Sequence, residues 1–347
     1  MLKSRISKIL LLVLAAVLVA LAFGTRYFLS KDADSLPDNS LISNIKTFAK
    51  NTFSSQYFVS APKEEPPAQI SLPEKTISPS TTSASALLWG AYPGDQPSDG
   101  PDFETRVGKK MNLQAVFINM GLDPFPSQFS PTIKDEGKTM IIFWEPYDFS
   151  LDDIIAGKVD TYIRRFAQAA KKYNGPIILV PFHEMNGDWS PWSGTLGTNT
   201  PEKVIEAWKH IHALFTEAPN VAFGWAVNHE SVPDTPANQI ENYWPGSDYV
   251  DYVGVDGFNF ADPWQSFEQI FDEALGKLAI YGKPIYIFSF ASAEGPAKAG
   301  WIADALTLQI PKHSLIAGWV WFNQNKEKDW RVWSDEDSLA AFKNNLP

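Results

Sequence analysis

The sequence predicts an α/β protein built as a (β/α)8 TIM barrel, preceded by an N-terminal export segment and a flexible linker. Eight short apolar runs follow one another between residues 86 and 347, and amphipathic stretches separate them. Such alternation predicts parallel strands joined by helices, and eight units favour a closed barrel over an open sheet. The segment Gly90–Gly94 lacks the glycine spacing of a dinucleotide-binding turn, so no nucleotide cofactor is expected.

The first 30 residues have the layout of a secretory signal peptide or a membrane anchor. Lys3, Arg5 and Lys8 precede an apolar run from Ile9 to Phe23. A basic flank before an apolar stretch predicts export with the basic end in the cytoplasm. Two outcomes stay open: secretion after cleavage of the signal, or an outward-facing domain held at the membrane by an uncleaved anchor.

Residues 31–85 are predicted to form a flexible linker. The part from Ala61 to Ser85 is crowded with proline, serine, threonine and charged residues and has few apolar ones. Such a segment buries too little apolar surface to offset its conformational entropy. The barrel domain is therefore placed at residues 86–347.

The eight predicted strands are rich in β-branched and aromatic residues and show little alternation of polar and apolar positions, as expected of strands buried on both faces. They are Ala86–Tyr92, Gln114–Met120, Thr139–Trp144, Pro176–His183, Asn220–Asn228, Asp251–Gly257, Pro284–Phe290 and Ile316–Phe322. The helical patterns between them include Val159–Tyr173, Pro201–Glu217, Trp264–Tyr281 and Ala297–Ile310.

The composition narrows the class of ligand. A formal net charge of −11 argues against nucleic acid, because binding to phosphates depends on lysine and arginine. The chain has no cysteine, which excludes disulfides and thiolate metal sites. Its 13 tryptophans suit a cleft that stacks on sugar rings, so a neutral β-linked polysaccharide is the expected partner. Nothing in the sequence indicates an oligomer.

In a (β/α)8 barrel the functional residues lie at the carboxyl ends of the strands. Here those ends supply carboxylates, amides and indoles, which suit hydrogen bonding to sugar hydroxyls and stacking on sugar rings. The predicted substrate-binding residues are His183, Trp189, Trp192, Trp144, Glu145, Trp225, Asn228, Phe258 and Trp321. His183-Glu184 and His229-Glu230 do not have the spacing of a helical zinc motif, so no metal site is predicted.

Glu184 is the candidate acid/base. It follows a buried apolar strand directly and precedes the aromatic-rich loop that contains Trp189. A carboxyl group in that position suits general acid catalysis. The alternative is a structural glutamate paired with a lysine or arginine at the end of the strand.

The segment Pro181–Trp189 resembles the acid/base motif of glycoside hydrolase family 26, the β-mannanase family. Residues 243–257 are similar to the family's segment entering the sixth strand, and residues 283–302 to its seventh strand and following helix. Trp321-Phe322-Asn323 and Asp329-Trp330 are similar to its eighth strand and tail, so the resemblance covers about residues 86–345. It implies a (β/α)8 barrel that hydrolyses β-1,4-mannan or related β-glucans with retention. It also implies Glu184 as the acid/base, with His183 and Trp189 in the substrate subsites.

The chain departs from the family at two linked positions. The family's nucleophilic glutamate at the end of the seventh strand corresponds to Ser289, and the tyrosine that steadies it corresponds to Phe258. A retaining glycosidase needs two carboxyl groups about 5–5.5 Å apart, and an inverting one needs them about 6.5–9.5 Å apart. Glu145, Glu230 and above all Asp256 are candidates for a substitute carboxylate, although Asp256 also suits a scaffold role.

Three hypotheses follow from this departure. The domain is a β-mannanase-type hydrolase with a substitute carboxylate, a non-catalytic protein that binds a β-linked polysaccharide, or a component of a cell-surface exopolysaccharide assembly. The sequence leaves open whether the domain is an active enzyme, whether it retains or inverts, and which sugar and linkage it recognises.

Overall fold

The computed structural model describes residues 87–347, which form a closed barrel of eight parallel strands paired in chain order, as predicted. The strands are β1 (Leu88–Tyr92), β2 (Leu113–Asn119), β3 (Thr139–Glu145), β4 (Ile177–Pro181), β5 (Val221–Asn228), β6 (Tyr252–Asn259), β7 (Ile285–Ser292) and β8 (Ile316–Phe322). The predicted signal or anchor segment and the whole predicted linker, residues 1–85, lie outside the described residues. Because all eight strands run in parallel, their carboxyl ends meet at one rim of the barrel.

The helical layer is less regular than eight identical units. Its helices are α1 (Asp99–Val107), α2 (Leu151–Ile155), α3 (Asp160–Tyr173), α4 (Pro201–Leu214), α5 (Phe267–Ala279), α6 (Lys298–Asp304), α7 (Ile310–Lys312) and α8 (Glu336–Asn344). A π-helical turn, Ala305–Gln309, joins α6 to α7. Within the described range, short 3-10 turns replace the α-helix after β2 and after β5.

The core has two apolar layers separated by the strand wall. On β3, Ile141 and Phe143 belong to the cluster inside the barrel, whereas Ile142 and Trp144 belong to the larger cluster between the strands and the helices. Successive side chains of a strand point to opposite faces, so each strand contributes to both layers. This alternation decides which strand residues face the rim of the barrel interior and which face the helices.

The described residues contain no helix long and apolar enough to cross a membrane.

Candidate active site

A backbone turn at the end of β4 presents His183 and Glu184 at the rim. The strand ends at Pro181, two residues earlier than predicted, because Phe182 and Glu184 have φ values of 55° and 54°. Residues other than glycine rarely adopt this left-handed conformation, and it persists where surrounding contacts impose it. One such contact is the Glu184 amide, which donates to the Ala226 carbonyl of β5 at 3.0 Å.

The Glu184 carboxylate is fixed by an indole. Trp189 Nε1 donates to Glu184 Oε2 at 2.9 Å, while half of the Trp189 side chain stays exposed. The ring lies against Gly187, where any Cβ atom would clash with it. Trp189 therefore both orients the carboxylate and offers an apolar surface beside it.

His183 bridges two carboxylates from neighbouring strands. Its Nδ1 lies 3.2 Å from Asp256 Oδ2, and its Nε2 lies 3.2 Å from Glu145 Oε1. Burial lowers the pKa of the imidazole, but the hydrogen bonds with Asp256 and Glu145 outweigh that effect and raise the pKa from 6.5 to about 10. The charged ring then donates from both nitrogens, tying β3, β4 and β6 together at the rim.

Asp256 lies close to Glu184 and to His183. One oxygen of Glu184, one oxygen of Asp256 and one ring nitrogen of His183 all lie within 4.8 Å of one another. Burial raises the pKa of Asp256 above its ordinary value, against the opposing hydrogen bond from His183. Asp256 and Glu145 occupy both ring nitrogens of His183, so the ring bridges two carboxylates in this arrangement.

The position of Asp256 bears on its predicted role as a substitute carboxylate. One oxygen of Glu184 and one oxygen of Asp256 lie within 4.8 Å, which is closer to the spacing of about 5–5.5 Å in a retaining pair than to the spacing of about 6.5–9.5 Å that admits a water molecule in an inverting enzyme. Asp256 is also only 1% exposed, and His183 occupies its Oδ2. The geometry favours the scaffold role that the sequence left open.

Ser289 lies next to Asp256 on the adjacent strand. A register shift between β6 and β7 makes Ser289, instead of Phe288, the partner of Asp256. Irregularities of this kind re-aim side chains and are common beside active sites. The Ser289 side chain is 5% exposed. The ends of β4, β6 and β7 thus bring Glu184, Asp256 and Ser289 to one part of the rim.

The predicted substrate-binding residues divide into two groups. Glu145, His183, Trp189 and Phe258 keep some exposure at the rim. Trp144, Trp225 and Trp321 do not, because the strand alternation turns their indoles outward into the layer between the barrel and the helices. The prediction that these three indoles contact sugar is therefore corrected: they are packing residues.

Hydrogen bonds define what two of the outward indoles do. Trp144 Nε1 donates to Tyr162 Oη at 3.4 Å, which joins β3 to α3. Trp321 Nε1 donates to the Trp330 carbonyl at 2.9 Å, which holds the loop after β8.

Trp192 and Asn228 are buried and hold loops of the rim by hydrogen bonds. Trp192 is 1% exposed, and its Nε1 donates to the His183 carbonyl at 2.7 Å. The Asn228 amide donates to Asn186 Oδ1 at 2.8 Å, and its Nδ2 donates to the Glu230 carbonyl at 2.7 Å. Both were predicted to bind substrate, but the structure uses them to hold the loops that follow β4 and β5.

Two exposed aromatic residues at the rim were missed. Tyr147 is 52% exposed, and its hydroxyl donates to Glu145 Oε1 at 3.1 Å. Phe260 is 45% exposed and packs edge-on against Trp330. Each follows a predicted strand within a few residues, so extending the search along each loop would have found them.

The barrel and the carboxylates at its rim place the chain among (β/α)8 proteins whose strand ends can perform acid/base chemistry on glycosides. The sequence model of the family described as Glycosyl hydrolase family 26 matches residues 141–331. The chain belongs to this family, which confirms the predicted resemblance. The correspondence of Ser289 to the family's nucleophile stays a prediction.

Two relatives of the chain are named as an endoglucanase and as a mannan endo-1,4-beta-mannosidase. The chain is 38% identical over 273 residues to Endoglucanase H of Acetivibrio thermocellus, covering 75% of this chain and 30% of that protein. It is 27% identical to Mannan endo-1,4-beta-mannosidase A and B of Caldalkalibacillus mannanilyticus, covering 47% of this chain and 32% of that protein. The chain thus spans about a third of the length of these relatives.

Solved structures agree on the fold. The catalytic domain of the endo-beta-1,4-mannanase of Bacillus sp. JAMB-750 superposes with a TM-score of 0.60 at 17% identity, covering 74% of this chain and 85% of that one. A beta-mannanase from a symbiotic protist of the termite Reticulitermes speratus gives a TM-score of 0.53 at 15% identity, covering 75% of this chain and 86% of that one. At such identities the likeness supports the barrel architecture alone.

Proposed function

We propose that the barrel is a glycoside hydrolase domain that acts on β-1,4-linked polysaccharide, with Glu184 as its proton donor. The observation that carries the proposal is the Glu184 carboxylate, held by Trp189 at the rim and adjoining His183 and Asp256. Family membership supports the reaction class. The names of the two relatives make glucan and mannan the first substrates to test.

The geometry favours direct attack by water over a covalent intermediate. Glu184 would protonate the glycosidic oxygen as the bond to C1 breaks. The opposite face of the sugar would meet Ser289, whose hydroxyl orients water but lacks a base strong enough to make serine a nucleophile. Asp256 is too buried to reach C1. The expected reaction is slow hydrolysis with inversion.

The test is the release of reducing ends by the purified chain from mannan, glucomannan and mixed-linkage glucan. Loss of a general acid typically costs about 10²–10⁴-fold in rate, so Glu184→Gln should reduce the activity by that factor. Glu217→Gln is the matched control, because the Glu217 side chain is 89% exposed on the segment after α4 and should leave the rate unchanged. Full activity in Glu184→Gln would refute the assignment of the acid.

A second candidate function is polysaccharide binding without cleavage, alone or within a cell-surface exopolysaccharide assembly. Ser289 in place of a carboxylate and the burial of Asp256 favour it. Retardation of the chain in a polysaccharide gel, with no new reducing ends, would support this function. Trp189→Ala should weaken the retardation, because the exposed indole would stack on a sugar ring.

We also propose that the domain acts outside the cytoplasm, secreted or held at the membrane by residues 1–30. The basic flank and apolar run at the N-terminus support export. Protease added to intact cells should digest an anchored domain, whereas a secreted one should be recovered from the medium. A domain found only in the cytoplasmic fraction would refute the proposal.

A further inference from the structure

We propose that this cleft transfers glycosyl groups from donors whose leaving group lies on the α face of C1, forming β-glycosidic bonds. The donor class is the α-glycosyl fluoride, and the acceptor is a hydroxyl of a β-linked oligosaccharide. The proposal rests on the proposed function in one respect: a sugar must bind across Glu184 and Ser289. The carrying observation is that a proton-transferring carboxylate and a small neutral hydroxyl both adjoin Asp256 at the rim.

Glu184 provides the base. In hydrolysis, the protonated carboxyl group of Glu184 donates a proton to the departing oxygen. In the reverse direction, its carboxylate accepts a proton from the attacking oxygen. Trp189 Nε1 donates a hydrogen bond to Glu184 Oε2 at 2.9 Å, and this bond orients the carboxylate. The other oxygen, Oε1, is then the atom that receives the proton of the acceptor hydroxyl.

Ser289 shapes the opposite side. A glutamate there would fill the space below C1 and repel a departing anion by its charge. Serine is shorter by one methylene and the carboxyl group, is neutral, and can donate a hydrogen bond to the anion. Asp256, the strand partner of Ser289, lies 3.2 Å from the His183 ring, whose positive charge limits the repulsion between Asp256 and the departing anion.

The step balances without a further reactant. A lone pair of the acceptor oxygen forms the new bond to C1, and the C1–F bond breaks with its electron pair leaving as fluoride. The acceptor proton passes to Glu184. The β-linked product then accumulates, because its hydrolysis by water on the Ser289 side is slow when no carboxylate activates that water.

The experiment uses the full chain with α-cellobiosyl fluoride or α-mannobiosyl fluoride as donor and p-nitrophenyl β-cellobioside as acceptor. Fluoride release is followed with an ion-selective electrode, and the masses of the products are determined by mass spectrometry. We expect release that depends on the acceptor and products longer by one donor unit. Hydrolysis of the donor without transfer, or release unaffected by Glu184→Gln, would overturn the proposal.

Substitutions at Glu184 and at Ser289 test the roles of the two sides of the cleft separately. Glu184→Gln should lower transfer by about 10²-fold or more, as expected for loss of a general base. Ser289→Ala should lower it by about tenfold, since a hydrogen bond to a charged group is removed. Ser289→Glu should abolish the accumulation of product. Thr105→Ala on α1, which removes a hydroxyl bonded only within its own helix, is the matched control and should transfer normally.

A second measurement keeps the test informative if the Ser289 variants fail to fold. Azide added with p-nitrophenyl β-cellobioside should attack C1 of the wild-type complex from the Ser289 side, releasing p-nitrophenol and forming the α-glycosyl azide. Formation of no azide adduct, or only of the β anomer, would contradict an open face at Ser289. A chain that is retarded by polysaccharide but transfers nothing refutes this inference alone, whereas a chain that neither binds nor cleaves polysaccharide refutes the proposed function as well.

Discussion

His183 is the residue on which the electrostatics of the rim depend. It separates Glu145 from Asp256, and an oxygen of Glu184 lies within 4.8 Å of its ring. Without a cation between them, three carboxylates at such distances would repel one another, and the burial of Asp256 strengthens that repulsion. A charged imidazole is thus the group that allows Glu184 to lie close to Asp256.

The pH dependence of stability tests this account. The pKa of His183 is raised to about 10, so its stabilising contribution is complete below its ordinary pKa of 6.5 and is lost as the pH rises through about 10. The pKa of Asp256 is also raised, which shifts stability in the same direction. We expect the melting temperature to fall by about 5 °C between pH 6 and pH 9.5.

The comparison for that measurement is the double variant His183→Gln with Asp256→Asn, which has no titrating group at these positions. Its melting temperature should depend less on pH than that of the wild type. Lys298, whose pKa burial lowers to about 8, has the opposite dependence and is present in both proteins, so its effect cancels. Parallel pH profiles for the two proteins would contradict the assignment of charge to His183.

Sequence reasoning identified the polar residues of the rim more reliably than the aromatic ones. Glu184, His183 and Trp189 stand in one continuous segment, so a motif was enough to bring them together. Trp144 and Trp321 were misjudged, because a tryptophan near a strand end fits either face until the alternation is fixed by coordinates. The shift that pairs Ser289 with Asp256 likewise leaves no mark in the sequence.

At the scale of elements, a buried cation, Lys298, is one of the groups that hold the loop after β8. Lys298 at the start of α6 is completely buried. Its Nζ donates to the Asp329 carbonyl at 2.9 Å, to the Arg331 carbonyl at 2.8 Å and to Ser334 Oγ at 3.0 Å. Between these anchors, Trp330 packs against the exposed Phe260. The lysine therefore sets one wall of the rim.

Lys298→Met should lower the free energy of unfolding by about 2–3 kcal/mol, because buried carbonyls lose their donor while the side-chain volume is kept. Urea unfolding at neutral pH measures the loss. Lys326→Met is the matched control in the same loop: that lysine is 67% exposed, and its ion pair with Glu327 should contribute less than about 1 kcal/mol. Equal effects of the two substitutions would show that Lys298 does not hold the loop.

Element boundaries were predicted less well than element types. The helix expected to begin at Trp264 begins at Phe267, because the Ser266 side chain accepts from the Gln269 amide and forms a capping box. Trp264 lies three residues before Phe267, so the helical spacing of apolar residues continues across this boundary, and periodicity alone extended the helix too far. Likewise, β4 was predicted to end at His183. It ends at Pro181, because Phe182 and Glu184 adopt the left-handed backbone conformation.

For the whole molecule, the eight apolar runs were sufficient to predict the barrel, but not how it closes. β1 pairs with β8 along its full length and with β2 only through Gly90 with Leu113 and Ala91 with Gln114. The missing helices after β2 and β5 could not be foreseen either, because polar loops and weak helices have similar patterns. The barrel thus closes between β1 and β2, here called the β1–β2 seam, through only these two residue pairs.

Gly90→Ala tests that seam. A Cβ atom at Gly90 would overlap the Leu113 carbonyl oxygen, and main-chain atoms of a paired strand cannot move aside without loosening the ladder. Overpacking of this kind typically costs about 1–3 kcal/mol and sometimes more, and we expect a loss near the upper end in urea unfolding. Because the barrel is one closed sheet, the loss should appear as a single shifted transition and not as a separate early one.

Gly276→Ala provides the matched substitution in α5. Apart from its two chain neighbours and the backbone of its own helix, no described residue has an atom within 4 Å of a Cβ placed there, and the glycine is inside a helix. Alanine should therefore stabilise the protein by about 0.5–1 kcal/mol through its higher helix propensity. Replacing glycine by alanine should therefore lower the free energy of unfolding at Gly90 and raise it at Gly276. The first substitution tests the space between β1 and β2, whereas the second tests only the conformational freedom of the backbone. If Gly90→Ala were as harmless as Gly276→Ala, the close approach of β1 to β2, and with it this register of the closed barrel, would be wrong.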